Sequence, residues 1–397
     1  MNEAEMTVPH FFMCPISLDL IKDPVTLCTG QTYDRSSIEK WLAAGNLTCP
    51  VTMQKLQDPS MVPNNTLRHL IDQWLQIGPQ FDPVYLSTID SLASLKKILE
   101  SGEASLEYKC ETLQNIQALT EESQSGNSSL FQLGFFPLLL ELLFGKVESR
   151  LSEGSAKFAE QALSCVLRLL SLGEYECLNM LRKDSKLESF QFLFDQGTSK
   201  IKRGLCQIIE AISSSLETRE LCAKLGKNRK LLKGLILLVH QTNGASEAGI
   251  KAISALCCLE SNRENMVQEG GINGLLTYIY DAQRRERNLA PKAMATIELL
   301  LGLESAKEDL INDPNGIKAL IKMVFRVSDH QGSESAIRSL MIICTDSLQA
   351  REEAIGAGVL TQLLLLLQSQ CSGRTKTKAR MLLKLLGSKW DEEPKHL

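Results

Sequence analysis

Cys14-Pro15-Ile16-Ser17 and Cys49-Pro50-Val51-Thr52 carry the most information in this chain. Both strings share a frame: cysteine, proline, a β-branched apolar residue, then a hydroxyl. A zinc knuckle needs a second cysteine at the fourth place, because Zn²⁺ takes four thiolate or imidazole ligands in a tetrahedron. Ser17 and Thr52 are neutral hydroxyls and poor ligands. The surrounding segment adds Cys28, His10 and His69, none paired at C-x2-C or C-x2-H spacing. No metal and no cofactor is expected. Order must then come from hydrogen bonds, with Ser17, Asp19, Asp23, Asp34, Arg35 and Thr52 as candidates. Each bond to a charged group contributes roughly 1.5–3 kcal/mol.

Local signals around these strings describe a small α+β unit over residues 8–78. The β-rich run from Pro24 to Tyr33, with Gly30 inside it, predicts a hairpin. Asp34 precedes Arg35-Ser36-Ser37-Ile38-Glu39-Lys40-Trp41-Leu42 and reads as a helix N-cap, with Ile38, Trp41 and Leu42 on one face. Gly45 ends that helix. Asn65 opens a second helix with Leu67, Leu70, Ile71, Trp74 and Leu75 on one face, and Gly78-Pro79 stops it.

The stretch FFMCPISLDLIKDPVTLCTGQTYDRSSIEKWLAAGNLTCPVTMQKL, followed by VPNNTLRHLIDQWL, resembles the U-box of plant U-box/armadillo E3 ubiquitin ligases. The U-box is the metal-free relative of the RING finger. The resemblance implies a module that recruits a ubiquitin-conjugating enzyme (E2) carrying ubiquitin. It implies that Ile16 and Leu18 in the first loop and Pro50 in the second contact the E2. Trp41 lies beside that groove, and its helix position suits core and groove equally. Cys14, Asp23, Pro24, Tyr33, Asp34, Arg35 and Cys49 match structural positions of the family. Its ligases form no covalent ubiquitin intermediate of their own; they hold the E2 thioester so that a substrate lysine attacks it. Many place an arginine three residues after the second-loop proline, bridging E2 and ubiquitin. Here that linchpin position is Met53, which has no donor. Either activation is weaker, or Gln54 or Lys55 substitutes.

The remainder reads as helix. With 397 residues the chain is too long for one compact core. Residues 79–90 read as a linker, with two prolines and little periodicity. From Ser91 the sequence is Leu-rich and repeats. Gly134, Gly271, Gly316 and Gly358 each precede or open a Leu-rich run, and the last three recur at a period near 42. That is the armadillo pattern, with about five or six repeats over residues 91–387 and a tail over 388–397. Each repeat buries its apolar face only against a neighbour, so the repeats stack into a solenoid whose concave face suits a protein partner. The fold class is thus mainly α: a small metal-free RING-like α+β module, then an all-α solenoid.

Other features narrow the function. A net charge of −4 gives no general drive toward nucleic acid. The opening residues carry no basic signal region, and an apolar run such as Leu363 to Leu367 is too short to span a membrane. Twelve cysteines without a regular framework indicate reduced, core-type residues, hence a cytoplasmic location with the nucleus admitted. Arg284, Arg285 and Arg287, and the serines at 123–129, read as solvated loops. His240 and His330 stand singly. Nuclear-import adaptors resemble one another in an asparagine ladder; the matching frame here holds Cys165, Gln207, Cys258, Leu299 and Ile342. An extended basic cargo is disfavoured. The expected function is an E3 ubiquitin ligase whose repeats hold the substrate. The family adds self-ubiquitination and a role in plant defence and stress signalling; U-box ligases of other architectures dimerise, which leaves a homodimer open as a further partner. The rival is a non-catalytic armadillo scaffold.

Overall fold

The computed structural model describes residues 12–77, 83–121, 127, 130–131, 133–145, 150–173, 175–241, 244–281, 289–325 and 330–388. The chain divides into two compact units, residues 1–91 and 92–397.

The first unit is built on a three-stranded antiparallel sheet ordered β2-β1-β3, with β1 Pro24–Thr26, β2 Thr32–Asp34 and β3 Val62–Pro63. Val25 pairs with Tyr33 on one side and Pro63 on the other. The expected hairpin is therefore present, turned by Gly30 at φ +79°. Helix α1 (Arg35–Ala43) follows, and α2 (Asn65–Ile77) begins under the Asn64 side chain, which accepts from the Leu67 amide at 3.0 Å. Gly45 ends α1 at φ +85°, a conformation that glycine adopts without strain. Phe12, Ile21, Val25, Tyr33, Ile38 and Ile71 form the core. Leu70, placed on the apolar face of α2 by its spacing, is 46% exposed.

Within the segment read as a linker over 79–90, helix α3 begins, running over Pro83–Glu100. Proline is at home in the first turn of a helix, where its missing N–H has no intrahelical partner to lose. Helix α4 (Leu106–Glu121) and the pair α5 (Phe135–Phe144) and α6 (Glu153–Leu170) come next. Five three-helix units then follow. The first opens with a 3-10 helix, Glu176–Arg182, ahead of α7 (Asp184–Gln196) and α8 (Ser199–Ser214). The second holds α9 (Arg219–Gly226), α10 (Arg229–Val239) and α11 (Ala245–Cys258). The third holds α12 (Arg263–Gln268), α13 (Gly271–Asp281) and α14 (Ala290–Leu300). The fourth holds α15 (Glu304–Asn312), α16 (Gly316–Val324) and α17 (His330–Asp346). The last holds α18 (Leu348–Gly356), α19 (Val359–Gln368) and α20 (Gly373–Gly387). Third helices stack in one row, α4-α6-α8-α11-α14-α17-α20, and second helices in another, α5-α7-α10-α13-α16-α19. One continuous apolar core runs between the rows.

Side chains cross-link the row. Asn262, almost fully buried, donates to the Cys222 carbonyl at 3.2 Å and the Leu256 carbonyl at 3.1 Å, tying one unit to the next. The outer face of α20 differs from that of the third helices before it. Ala293-Met294 in α14 and Ala336-Ile337 in α17 are buried pairs, whereas the same place in α20 is Ala379-Arg380 with Arg380 exposed. A polar outer face of this kind is the general character of a capping repeat.

The turn glycines serve two physical ends. Gly134, Gly270 and Gly358 sit at φ +73°, +89° and +86°, just before a second helix. Gly358 therefore pairs with Gly270 rather than with Gly271. Gly316 instead opens α16 where a Cβ would lie 2.1 Å from the Leu310 carbonyl oxygen. Gly316→Ala should cost about 1–3 kcal/mol through overpacking. Gly358→Ala should cost about 1–2 kcal/mol and Gly358→Asn less, since asparagine tolerates the left-handed region. Denaturant unfolding of the three variants checks the order.

Candidate functional site

The two Cys-Pro strings fold into near-copies of one loop. In the first, the Cys14 amide donates to Asp19 O at 2.8 Å and the Leu18 amide to Cys14 O at 2.8 Å. In the second, the Cys49 amide donates to Gln54 O at 2.8 Å and the Met53 amide to Cys49 O at 2.9 Å. The fourth-place hydroxyl does the same task twice: Ser17 Oγ accepts from the Asp19 amide and Thr52 Oγ1 from the Gln54 amide, both at 3.4 Å. Each loop is closed by a single antiparallel bridge, Met13 with Leu20 and Thr48 with Lys55. Each turns through a left-handed non-glycine residue, Leu18 at φ +60° and Met53 at φ +57°. Those two side chains are 69% and 71% exposed.

Hydrogen bonds converge on both loop sulfurs. Cys14 and Cys49 are both fully buried. Burial pushes the Cys14 thiol up, but amides of Ser17, Asp34 and Ile16 and the Ser17 hydroxyl face the sulfur and hold it below its ordinary value. Around Cys49, burial again raises the value. Hydroxyls of Thr29, Thr52 and Tyr33, with the Thr52 amide, outweigh it and lower the thiol to about 6. Tyr33 OH lies 3.0 Å from the Cys49 sulfur and also accepts from the Val51 amide at 3.3 Å. Burial, with Cys49 beside it, raises the phenol in turn. Among the described residues no group of three or more His, Cys, Asp or Glu is disposed to hold a metal ion.

Adjacent residues of β2 hold both loops. Tyr33 reaches the second through its hydroxyl. Asp34 reaches the first, its amide donating to the Cys14 sulfur at 3.4 Å. The Asp34 carboxylate does not cap α1 as expected. It accepts from the Lys22 and Asp23 amides at 2.9 and 3.0 Å and from Ser36 Oγ at 2.7 Å, fixing the exit of the first loop. Asp23 binds Arg35 Nε at 2.7 Å and also pairs with Arg68 of α2. Pro24 is buried and its carbonyl accepts from the Asn64 amide at 2.8 Å. The structural residues expected from sequence thus sit in one network, to which Arg68 and Thr29 are additions.

Residues expected at the docking face fall into two kinds. Leu18 is exposed on its loop, whereas Ile16, Trp41 and Pro50 are half-buried, with Ile16 and Trp41 packed on the core. Trp41 also donates Nε1–H to the Thr48 carbonyl at 2.9 Å, so it supports the second loop from α1. Val51, beside Pro50 in the second loop, is 49% exposed, and Leu47, which sequence reasoning passed over, is 54% exposed. Their signal was available, since an apolar residue in a short loop of a small domain has little core to join.

The repeat unit offers a second surface, along its third helices. Between α4, α6 and α8 lies a depression of about 420 Å³ lined by Gln117, Glu160, Ser164, Lys200, Arg203 and Gln207. Of the positions compared with an asparagine ladder, Cys258, Leu299 and Ile342 face outward to differing degrees. Cys165 is fully buried while Gln207 is exposed, and Cys258 precedes half-buried Leu259 whereas Leu299 and Ile342 precede fully buried residues, so only the last two share a position. Residues 282–288, with the three arginines, and most of the 123–129 serine stretch lie outside the described residues, as does the tail beyond Ser388. No helix among the described residues is long and apolar enough to cross a membrane.

The Cys49 network has a pH signature. A thiol at about 6 in the folded state and near 9.0 when unfolded binds fewer protons folded than unfolded between those values. Stability of the first unit therefore rises from pH 6 to 9 and is lost as pH falls through 6. Tyr33→Phe should narrow that window and Cys49→Ala should abolish it, read by denaturant unfolding across the pH series.

Residues 8–78 match the U-box domain family, and residues 91–395 match the plant U-box protein ARM repeat region. The chain is 31% identical to U-box domain-containing protein 26 of Arabidopsis thaliana, over 97% of this chain and 93% of that protein. It is 28% identical to E3 ubiquitin-protein ligase PUB23 of the same plant, over 99% of this chain and 96% of that protein. Computationally designed armadillo repeat proteins for modular peptide recognition superimpose on 63% of this chain and 99% of theirs, with a TM-score of 0.50 at 17% identity. That likeness concerns the fold alone. With both segments matched by these families, the outward-turned twin loops, the hydrogen-bonded core behind them and the stacked three-helix units belong to a member of the plant U-box family with an ARM-repeat region.

Proposed function

We propose that the protein is an E3 ubiquitin ligase. The twin loops dock a ubiquitin-charged E2, and the repeat unit holds the substrate whose lysine attacks the thioester. The observation that carries this reading is the pair of left-handed, exposed apolar residues Leu18 and Met53. A non-glycine residue at such φ costs about 1–2 kcal/mol. A large apolar side chain held in water adds nothing to the fold. Strain and exposure together at the same position of two loops indicate selection for a docking surface. Relatives bearing the name E3 ubiquitin-protein ligase, PUB23 and PUB22, align along nearly the whole chain. Cys14 and Cys49 are buried and hydrogen-bonded, which suits a mechanism in which the thioester stays on the E2. The ligase contributes proximity and orientation. Exposed lysines of the chain itself are substrates on the same terms.

Met53 keeps the scaffold reading in view, since it offers no donor at the linchpin position. Its geometry separates the two readings. Leu18→Gly relieves the left-handed strain and so holds or raises stability, but it removes an apolar anchor. In a reaction with E1, a panel of E2s and ubiquitin, Leu18→Gly, Ile16→Ala and Pro50→Ala should each lower ubiquitin transfer at least tenfold. That is a loss of about 1.4 kcal/mol or more of docking energy. A zinc chelator should change nothing, and Met53→Arg should raise transfer. A folded protein that forms no ubiquitin chains with any E2, even as Met53→Arg, is a scaffold.

A further inference from the structure

The third-helix surface changes character along the row. At its C-terminal end Leu299 of α14, Ile342 of α17 and Leu385 of α20 each precede a fully buried residue, Leu300, Ile343 and Leu386. They therefore occupy one repeated position and form an apolar column. Leu299 is 38% exposed, Ile342 and Leu385 are half-buried, and Met381 of α20, one turn away from Leu385, is 53% exposed.

Charge along the same helices is unbalanced in a specific way. Every carboxylate of α14, α17 and α20 is taken. Glu298 meets Arg338 at 2.9 Å, and Glu334 meets Arg338 and Lys378, both at 2.7 Å. Asp346 meets Lys307 at 2.6 Å. The lysine and arginine partners hold the Glu334 carboxyl below the usual range, with Lys378 the first cause. Helix α20 has no acidic residue at all. Lys292, Arg374 and Lys384 have no ion-pair partner among the described residues, and Arg374 and Lys384 flank Met381 in sequence at i−7 and i+3, along one side of α20. The pairs join three helices into a rigid frame, and the unpaired cations are left facing out of it.

We propose that this end of the third-helix face, α14, α17 and α20, binds a peptide segment of the protein partner in which carboxylates alternate with apolar side chains. The apolar column takes the apolar residues, and Lys292, Arg374 and Lys384 take the acids. Desolvated apolar anchors give affinity, while the charges set orientation and reject basic segments. This rests on the reading of the repeat unit as the substrate holder. An anionic membrane is the less favoured occupant. The apolar column spans three helices of a packed surface, and only Met381 projects more than half its area.

A display library of random 12-residue peptides, selected on the full chain, tests the assignment directly. The enriched peptides should be rich in Asp and Glu with apolar spacing. Their binding should weaken with salt and fall at least tenfold in the Arg374→Glu/Lys384→Glu variant and in Met381→Glu, with unchanged thermal unfolding. Ile16→Ala should bind them as the wild type does. Enrichment of basic or neutral peptides, no enrichment, or equal binding to the two α20 variants overturns the proposal. So does binding to phosphatidylserine vesicles that the α20 charge reversals abolish while peptide selection fails. Ubiquitin-chain formation without substrate is measured in parallel. Peptide binding with no chain formation removes the ligase reading alone, and chain formation with failed selection removes this proposal alone.

Discussion

Two consecutive residues of one short strand organise the N-terminal unit. Tyr33 and Asp34 stand side by side in β2, one reaching the second Cys-Pro loop and the other the first. Through them, two loops separated by a helix and a hairpin are held to one sheet. The sulfurs of Cys14 and Cys49 act as acceptors at the centre of each loop, and a hydroxyl three residues on supplies the donor a second thiolate would have replaced. A domain of this size has too little apolar area to fix such loops by packing alone. Directional bonds to buried sulfur, oxygen and the Asp23–Arg35–Arg68 cluster do it instead.

The repeat unit solves the opposite problem. It has core in abundance, and its helices are fixed by stacking. Polar side chains there act as spacers between neighbouring repeats: Asn262 between α9, α11 and α12, and the Glu298–Arg338–Glu334–Lys378 chain across three third helices. Exposed surface ion pairs of this kind add little stability each. Their larger effect is to fix the relative placement of outward-facing residues, which a binding face needs.

The hairpin, α1, α2 and the repeat period were legible because each is encoded locally, by glycine turns, alternation and 3.6-residue spacing. The twin loops were legible as a shared string. What escaped was set by contacts distant in sequence or by positional ambiguity. Asp34 looks like an N-cap because Asp before a helix generally is one; its carboxylate was claimed by amides on the far side of the first loop. Arg68 joins Asp23 across the unit, and nothing near either residue announces it. Pro83 reads as a break until it is seen at the first position of a helix. Gly270-Gly271 offers two glycines for one turn, and only backbone angles say which is left-handed. Leu18 and Met53 were visible as residues, but their shared strain was not.

Arg380 bears on more than the last helix. A solenoid is a heterologous stack, and a heterologous contact that does not close on itself propagates. Were α20 to end in the buried apolar pair that α14 and α17 carry, its outer side would be a template for the first helices of another molecule. Arg380 sets a charge at the repeated position where α14 and α17 carry a buried apolar residue, which disfavours such propagation.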